Sequence, residues 1–306
     1  MPERLFHVNS NVRKEAPKLF GKTEESVSED VGVLKKWIQT QHHLPETMKN
    51  VKIRNFLLLN KCSIGKTKLK IDMYYTIRSM IPDFYDDANP NNSHMKEYMD
   101  IRYEGYFGVH PVLFENMYRV MFYKVKMPNT VVPRLEAMRN FNVAEIRLYE
   151  DCMIGEILVC DMANVSFNDL LKITPTFTAK VLAIYQKVYS LRLKAMYIVN
   201  SPLYINHFMA VLKKTMKPKI FSRIKVFHDC EVLKQVFPKE ILPKDYGGDG
   251  PSLEELNEMV KIKLTQYQER FDKLDKLRVN EELRPEKLDN DEMLGFHGNF
   301  KKLEVD

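Results

Sequence analysis

Residues 156–161 read EILVCD, a short and almost uninterrupted apolar run that ends on an aspartate. Such a run is expected of a strand that is buried on both faces of a sheet. Residues 195–200, AMYIVN, repeat the pattern, and two further β-prone runs occupy residues 117–125, MYRVMFYKV, and residues 224–228, IKVFH. The sequence therefore predicts four short strands in the middle of the chain.

The segments between these strands have helical patterns. Residues 132–149, 167–190 and 202–216 each fill one gap between successive strands. Alternation of strand and helix is typical of an α/β fold with a mainly parallel sheet flanked by helices.

The N-terminal part of the chain is different, because its patterns are helical only. Apolar residues recur near helical spacing within residues 24–41, and residues 49–59 and 66–80 give two more helices. The stretch IPDFYDDANPNN (81–92) then breaks the pattern with proline, aspartate and asparagine. We expect a small all-α domain over residues 1–90 and the α/β domain over residues 91–250.

A third segment, residues 251–306, follows a glycine-rich turn. Ser252 and Glu255 have the spacing of a capping box, and the charged pattern after them predicts a long helix from residue 252 to about residue 282. The remaining tail is polar and predicts a surface extension.

Composition excludes several classes of protein. A formal net charge of +6 over 306 residues is too mild to indicate a nucleic-acid binder. The four cysteines form no CxxC pair and read as free thiols, and no run of about 18 apolar residues could span a bilayer. With an N-terminus that lacks a signal-peptide pattern, these features predict a cytoplasmic protein. The 17 Met and 17 Phe can fill a core or line a cavity with equal ease.

One motif resembles a nucleotide-binding loop. Residues 60–67, NKCSIGKT, end like the P-loop pattern GxxxxGK[ST], and Asp161 follows a strand as a magnesium-binding aspartate would. Asn60, however, occupies the first glycine position, where a residue without Cβ is favoured. A P-loop hydrolase is therefore a remote alternative, and a turn between two helices is the simpler interpretation of this stretch.

Other catalytic patterns are weaker. His42 and His43 are adjacent and cannot share one helix face as a zinc pair, and no HExxH or GxSxG motif occurs. We predict a protein that is not an enzyme and that needs neither cofactor nor metal.

Four motifs resemble the CRAL-TRIO lipid-binding family, in the branch that carries tocopherol and retinaldehyde. In chain order they are CDMANVSFNDLLKITPTF (160–177), YSLRLKAMYIVNSP (189–202), KPKIFSRIKVF (217–227) and LPKDYGG (242–248). The resemblance is looser at RNFLLLNKCSIGKTKLKI (54–71) and in the tail GFHGNFKKLEVD (295–306), which is similar to the extension of arthropod members.

The resemblance implies a lipid cavity between the sheet and a mobile helix, and membrane-to-membrane transfer of a hydrophobic small molecule by a monomer. The residues that it assigns to the pocket are Cys160, Val165, Val181, Ile184, Tyr185, Tyr189, Leu191, Leu193 and Met196. Tyr185 or Tyr189 could donate a hydrogen bond that orients the ligand.

The mobile helix, or gate, maps to residues 202–216. Its apolar face consists of Ile205, Phe208, Met209, Leu212 and Met216, at helical spacing. The same spacing fits ordinary core packing equally well, so the periodicity alone leaves both interpretations open.

The family also binds phosphoinositide head groups through basic residues. The positions implied here are Arg192, Lys194, Lys217, Lys219 and Arg223. This predicts peripheral association with phosphoinositide-containing membranes. A regulatory or trafficking module that reads phosphoinositides is the alternative function.

Three departures from the tocopherol and retinaldehyde carriers leave the ligand open. Val165 and Cys160 stand where the tocopherol carrier has aromatic residues, and Glu156 stands at an apolar position of the pocket region. Tocopherol, retinoids, carotenoids, sterols and phospholipids all remain possible.

Overall fold

The computed structural model describes residues 5, 6, 8, 10–102, 105–190 and 192–286. Its N-terminal part is helical, as predicted. The helices there are α1 (Ser10–Glu15), α2 (Glu24–Thr40), α3 (Asn50–Leu59), α4 (Ile64–Met80) and α5 (Ser93–Glu97). Helix α2 begins where the Thr23 hydroxyl accepts a hydrogen bond from the Ser26 amide at 3.2 Å, in a reciprocal capping arrangement.

A five-stranded sheet forms the centre of the molecule. Its strands are β1 (Gly105–Val109), β2 (Tyr118–Val125), β3 (Gly155–Asp161), β4 (Leu193–Val199) and β5 (Ile224–Val226). They lie side by side in chain order, with β1 antiparallel to β2 and every other pair parallel. The mainly parallel α/β sheet is confirmed.

Strand β1 was not among the predicted strands. Its sequence, GYFGV, holds two glycines, which have low β-propensity. One of them has a packing reason, since a Cβ on Gly108 would lie 2.7 Å from the Cβ of Leu256. The glycine thus lets a C-terminal helix approach the edge of the sheet.

Helices connect the parallel strands. These are α6 (Pro133–Glu150) after β2, α7 (Phe167–Leu171) and α8 (Pro175–Ile184) after β3, and α9 (Ile205–Thr215) and α10 (Pro218–Phe221) after β4. The helical segment predicted over residues 167–190 is divided into two helices, because Thr174 starts a new helix. Its hydroxyl accepts from the Phe177 amide at 3.1 Å, and Pro175 takes the first helical position. A π-helical turn, Tyr185–Tyr189, follows α8.

The C-terminal region adds α11 (Val232–Val236), α12 (Leu253–Gln266) and α13 (Gln268–Leu274). The predicted capping box is confirmed, since the Glu255 carboxylate accepts from the Ser252 amide at 2.7 Å and the Ser252 hydroxyl accepts from the Glu255 amide. The long helix predicted to about residue 282 is instead interrupted at Tyr267, whose hydroxyl binds Glu150 at 2.7 Å. The tail from residue 295 lies outside the described residues.

The two faces of the sheet are covered differently. On one face Val120, Phe122, Ile157, Val159 and Tyr197 pack in a continuous core against α11, α12 and the segment between them. On the other face lie the N-terminal helices, α6, α8 and α9. We call these the filled face and the hollow face, because a cavity interrupts the second.

A buried ionic network joins the N-terminal helices to the rest of the hollow face. The Lys52 ammonium lies 2.8 Å from the Glu145 carboxylate, and Arg270 lies 2.9 Å from the same group. Glu145 belongs to α6 and Arg270 to α13, so the network connects three parts of the chain. Within the described residues, we find no helix with the length and apolarity to cross a membrane.

Candidate lipid-binding site

A cavity of about 310 Å³ lies on the hollow face, between the sheet and helices α6 and α8. Its floor is formed by alternate residues of three strands, namely Tyr123, Leu158, Cys160, Met196 and Ile198. The intervening residues point to the filled face, because side chains alternate along a strand. The nearly continuous apolar runs therefore serve a core on one side and a cavity on the other.

The helical walls complete the cavity. Helix α6 contributes Ala137 and Asn140 near its N-terminal end, and α8 contributes Phe177 and Val181. Tyr185 extends the α8 wall from the start of the π-helical turn. The wall is almost entirely apolar, as is usual for sites that bind small molecules.

Helix α9 covers one end of the cavity. The Phe208 side chain lines it, while Ile205 and Met209 pack in the same apolar cluster and Leu212 is buried. Met216 follows the helix and is half-buried. The predicted apolar face of the gate therefore points inward. Asn206, Lys213 and Lys214, on the other side of the helix, are exposed.

The structure brings together only part of the predicted pocket. Five of the predicted residues line the cavity: Cys160, Val165, Val181, Tyr185 and Met196. Ile184 and Tyr189 lie instead in the core behind it, where the Tyr189 ring stacks on Phe141 with centroids 5.9 Å apart. Leu193, at the start of β4, is not among the lining residues, and Leu191 lies outside the described residues.

Several lining residues were missed, including Tyr123, Leu158, Ile198, Asn140, Phe177 and Leu170. For the three strand residues a signal was available. Once Cys160 is assigned to the cavity, alternation assigns Leu158 as well, and pairing in the sheet brings Tyr123 and Ile198 beside Cys160. No comparable pattern distinguishes Asn140 from the other residues of α6.

The thiol and the phenol groups of the cavity are held neutral. Burial raises the pKa of the Cys160 thiol to about 12, and the nearby Asp161 adds to the shift. Burial likewise raises the pKa of Tyr185, with a further contribution from the negative charge of Glu156. The Tyr123 hydroxyl donates to the Asn140 side-chain oxygen at 2.5 Å. Both tyrosines and the cysteine therefore stay protonated at neutral pH.

The basic residues predicted for head groups divide into two sets. The Arg192 guanidinium donates to the carbonyls of Leu59 at 2.6 Å and Leu58 at 3.3 Å, and so holds the end of α3 against the sheet. Arg223 donates to the Leu193 carbonyl. Lys194, Lys217 and Lys219 are exposed. Arg192 and Arg223 are thus engaged within the protein, while the three lysines face solvent.

Two further lysines join this surface. The Lys70 ammonium donates to the carbonyl of Gln186, which places it beside Lys187. Burial first, and then the positive charges of Lys187 and Lys217, lower the pKa of Lys70 to about 8. No pattern in the sequence connects Lys70 with this region, because it lies on an N-terminal helix.

Exposed apolar side chains lie near the gate. Leu203, just before α9, is 92% exposed, and Leu171 and Phe167 on α7 are 59% and 39% exposed. The Phe167 ring lies 5.6 Å from that of Tyr204, which immediately precedes α9. A group of large apolar residues in solvent beside a cavity is characteristic of an interaction surface.

Residues 60–67 do not form a P-loop. Residues 60–67 lie in the turn between α3 and α4, and Ser63 caps α4. Helix α3 leads directly into them, whereas a P-loop requires a strand at that place. In addition, the described residues contain no group of three or more side chains that could hold a metal ion.

An α/β domain with an apolar cavity under an amphipathic helix has the architecture of a binding domain for a hydrophobic small molecule. Comparison with known families agrees with this class. Residues 124–248 match the family model "CRAL/TRIO domain", and residues 23–95 match the model "Pinta-like, UBA domain". The central part of the chain, residues 124–248, is therefore a CRAL/TRIO domain.

Similar curated proteins carry the name "Alpha-tocopherol transfer protein-like". The mouse protein is 33% identical over 101 residues, which are 33% of this chain and 29% of the relative. The human and Pongo abelii proteins are 32% identical over 101 residues. The matched region thus spans less than a third of those relatives. Among solved structures, "Crystal structure of Sfh5" aligns with a TM-score of 0.45 and 15% identity, covering 83% of this chain and 97% of that one.

Proposed function

We propose that the protein is a carrier that binds a hydrophobic small molecule in the cavity of the hollow face and transfers it between membranes. Tocopherol, a retinoid, a carotenoid or a similar lipid is the class of cargo. The observation that carries this proposal is the apolar cavity of about 310 Å³ in a domain of a lipid-binding family. The curated relatives, which are named for tocopherol transfer, support the same class of activity.

Binding of such a ligand is favourable without a strong polar contact. Removal of ~500 Å² of apolar surface from water contributes on the order of 12 kcal/mol before other terms. Lost translational freedom and ordering of the ligand reduce this considerably. The remainder is sufficient for tight binding of a molecule that is poorly soluble in water.

Release requires an apolar destination, which a membrane provides. Helix α9 presents its apolar face to the cavity and its polar face to solvent, so outward movement would open the cavity. The exposed Leu203, Leu171 and Phe167 are positioned to enter the membrane interface first. The opened helix would then bury its apolar face in the membrane, as interfacial helices do.

Head groups of phosphoinositides are the proposed signal for opening. Lys194, Lys217 and Lys219 are exposed; the first lies in β4, the second directly precedes α10 and the third lies in α10. Each lysine contributes about 1 kcal/mol of attraction at an anionic surface. Arg192 is a poor probe of this role, because its loss would also release the carbonyls of α3.

Two measurements test the carrier function. Mass spectrometry of an organic extract of the purified protein should identify a bound lipid, and the protein should move that lipid from donor to acceptor vesicles. An extract free of lipid, together with no transfer of any lipid offered, would reject the proposal. Vesicle binding without extraction of lipid would instead favour the regulatory or trafficking module.

A double variant tests the head-group role. Lys194→Ala with Lys219→Ala should weaken cosedimentation with phosphoinositide vesicles by roughly 30-fold, since two lysines supply about 2 kcal/mol. The matched control is Lys36→Ala with Lys239→Ala, which removes the same charge from exposed positions elsewhere. Equal weakening by both pairs would mean that only net charge matters.

A further inference from the structure

The charged residues that line the cavity are all paired with the protein itself. Glu136 accepts the Tyr98 hydroxyl at 2.6 Å and also binds Arg139. Asp169 accepts the Asn129 amide at 2.8 Å and lies 3.1 Å from the Lys172 ammonium. Neither carboxylate is left to bind a cationic group of a ligand.

Of the described residues that line the cavity, Lys124 alone carries a positive charge. Its ammonium lies 3.2 Å from the Asp161 carboxylate and 5.6 Å from the centre of the Tyr246 ring. Tyr246 belongs to the core of the filled face, so Lys124 directs its charge away from the cavity. The cavity therefore offers no cation to neutralise an inserted carboxylate or phosphate.

A pair of buried, oppositely charged side chains lies behind the floor. The Arg147 guanidinium lies 3.0 Å from the Glu156 carboxylate, and both side chains are buried. Glu156 is the unusual polar residue of β3, on the same side of the strand as Leu158 and Cys160. Because the positive charge of Arg147 balances the negative charge of Glu156, the pair adds no net charge to this end of the cavity.

One hydrogen-bonding group in the wall remains without a protein partner. Within the described part of the chain, the Tyr185 hydroxyl makes no hydrogen bond, whereas the Tyr123 hydroxyl donates to the side-chain oxygen of Asn140. Because Tyr185 lines the cavity, an oxygen of a ligand that enters the cavity can accept a hydrogen bond from this hydroxyl. Tyr185 remains protonated, as its raised pKa requires, and can donate that bond.

We infer that the cavity accepts an uncharged lipid with a hydroxyl or carbonyl oxygen placed at Tyr185, and that it excludes lipids whose inserted end is an ionised carboxylate or phosphate. This inference rests on the proposed carrier function and narrows its cargo. The reason is that transfer of an unpaired anion into an apolar site is far more costly than transfer of a neutral hydroxyl.

Matched alcohols and acids test the inference on the full chain. Phosphatidylcholine vesicles would carry either all-trans-retinol or all-trans-retinoic acid, and in a second set octadecanol or octadecanoic acid, at pH 8.5. That pH lies far above the usual carboxyl pKa. We expect at least tenfold tighter binding of an alcohol than of its acid. Acids that bind as tightly as the alcohols would overturn the inference but leave the carrier function intact. If none of the four lipids binds and the organic extract is empty, the carrier function itself fails.

The role of Tyr185 is tested separately. Tyr185→Phe should lower the affinity for the alcohol about fivefold, the value of a typical net hydrogen bond, and leave the weak acid binding unchanged. Tyr197→Phe is the matched control, because Tyr197 lies on the filled face and its loss should change neither affinity. An unchanged alcohol affinity in Tyr185→Phe, with the fold intact, would contradict the proposed placement of the oxygen.

Discussion

Neighbouring residues of one strand face opposite sides of the sheet, where one side is a filled core and the other contains a cavity. On β3, Ile157 and Val159 point into the filled face, and Leu158 and Cys160 line the cavity of the hollow face. All four positions are apolar, so hydrophobicity does not distinguish them. The difference lies in what covers each face, since α11 and α12 fill one side while α6, α8 and α9 leave a space on the other. Packing of the core and lining of the cavity are therefore separated on alternate residues of the same strand.

The largest effect is expected on the filled face. Phe122 is completely buried, and its ring lies near those of Phe237 and Tyr246. Phe122→Ala should lower the free energy of unfolding by about 3–5 kcal/mol, because it removes a large buried side chain and leaves a void. Urea denaturation of the ligand-free protein measures this. A loss below about 1 kcal/mol would mean that the filled face is also loosely packed.

The ionic network behind the hollow face should give the next largest effect. Burial alone would raise the pKa of Glu145, but the charges of Lys52 and Arg270 lower it to about 2. A carboxyl with a lower pKa in the folded state stabilises the protein above its unfolded-state pKa, and this stability is lost as pH falls. The wild type should therefore lose stability between about pH 4.5 and 2.

Glu145→Gln provides the comparison for that pH profile. It leaves Lys52 and Arg270 without their shared partner and should cost about 3 kcal/mol at pH 7. Its unfolding free energy should then fall less steeply than that of the wild type over the same acid range. Parallel profiles for the two proteins would show that other carboxylates dominate.

The cavity floor should tolerate truncation better than the filled face. Leu158 is half-buried because part of its side chain faces the cavity. Leu158→Ala removes fewer packing contacts than a substitution in a closed core and should cost about 1–2 kcal/mol, at or below the low end for buried leucines. The same urea experiment measures it. A cost as large as that of Phe122→Ala would indicate that the floor is tightly packed.

The sequence predicted the sheet more completely than it predicted the residues that line the cavity. The apolar runs at β3 and β4 predict buried strands, and the Ser252 capping box predicts the start of α12. The break at Thr174 was missed because the apolar spacing continues across it. The position of Ile184 beside Tyr185 shows the same limit, since adjacent helical residues differ by about 100° in direction. Whether each one faces a core or a space depends on the neighbouring helix, which local sequence does not specify.

Arg192 illustrates a second limit. The resemblance assigned both Arg192 and Lys194 to the binding of head groups. The structure gives Arg192 the carbonyls at the end of α3, more than 130 residues earlier in the chain. Conversely, Lys70 reaches the basic surface from α4. Contacts between such distant segments depend on how the N-terminal helices pack against the rest of the protein. No pattern within either segment predicts that packing.

The smallest change in stability, with a large change in binding, is expected for Cys160→Phe. The new ring would extend into the cavity, so the free energy of unfolding should change by less than about 1 kcal/mol while lipid binding falls at least tenfold. Val159→Phe places the same ring one residue earlier, in the filled face, where Val159 is completely buried. Overpacking there should cost about 1–3 kcal/mol and leave the affinity of the folded protein unchanged. Urea denaturation and lipid binding on both variants measure the contrast. If Cys160→Phe destabilised the protein as much as Val159→Phe, or still bound lipid normally, the two faces would not differ as the cavity implies.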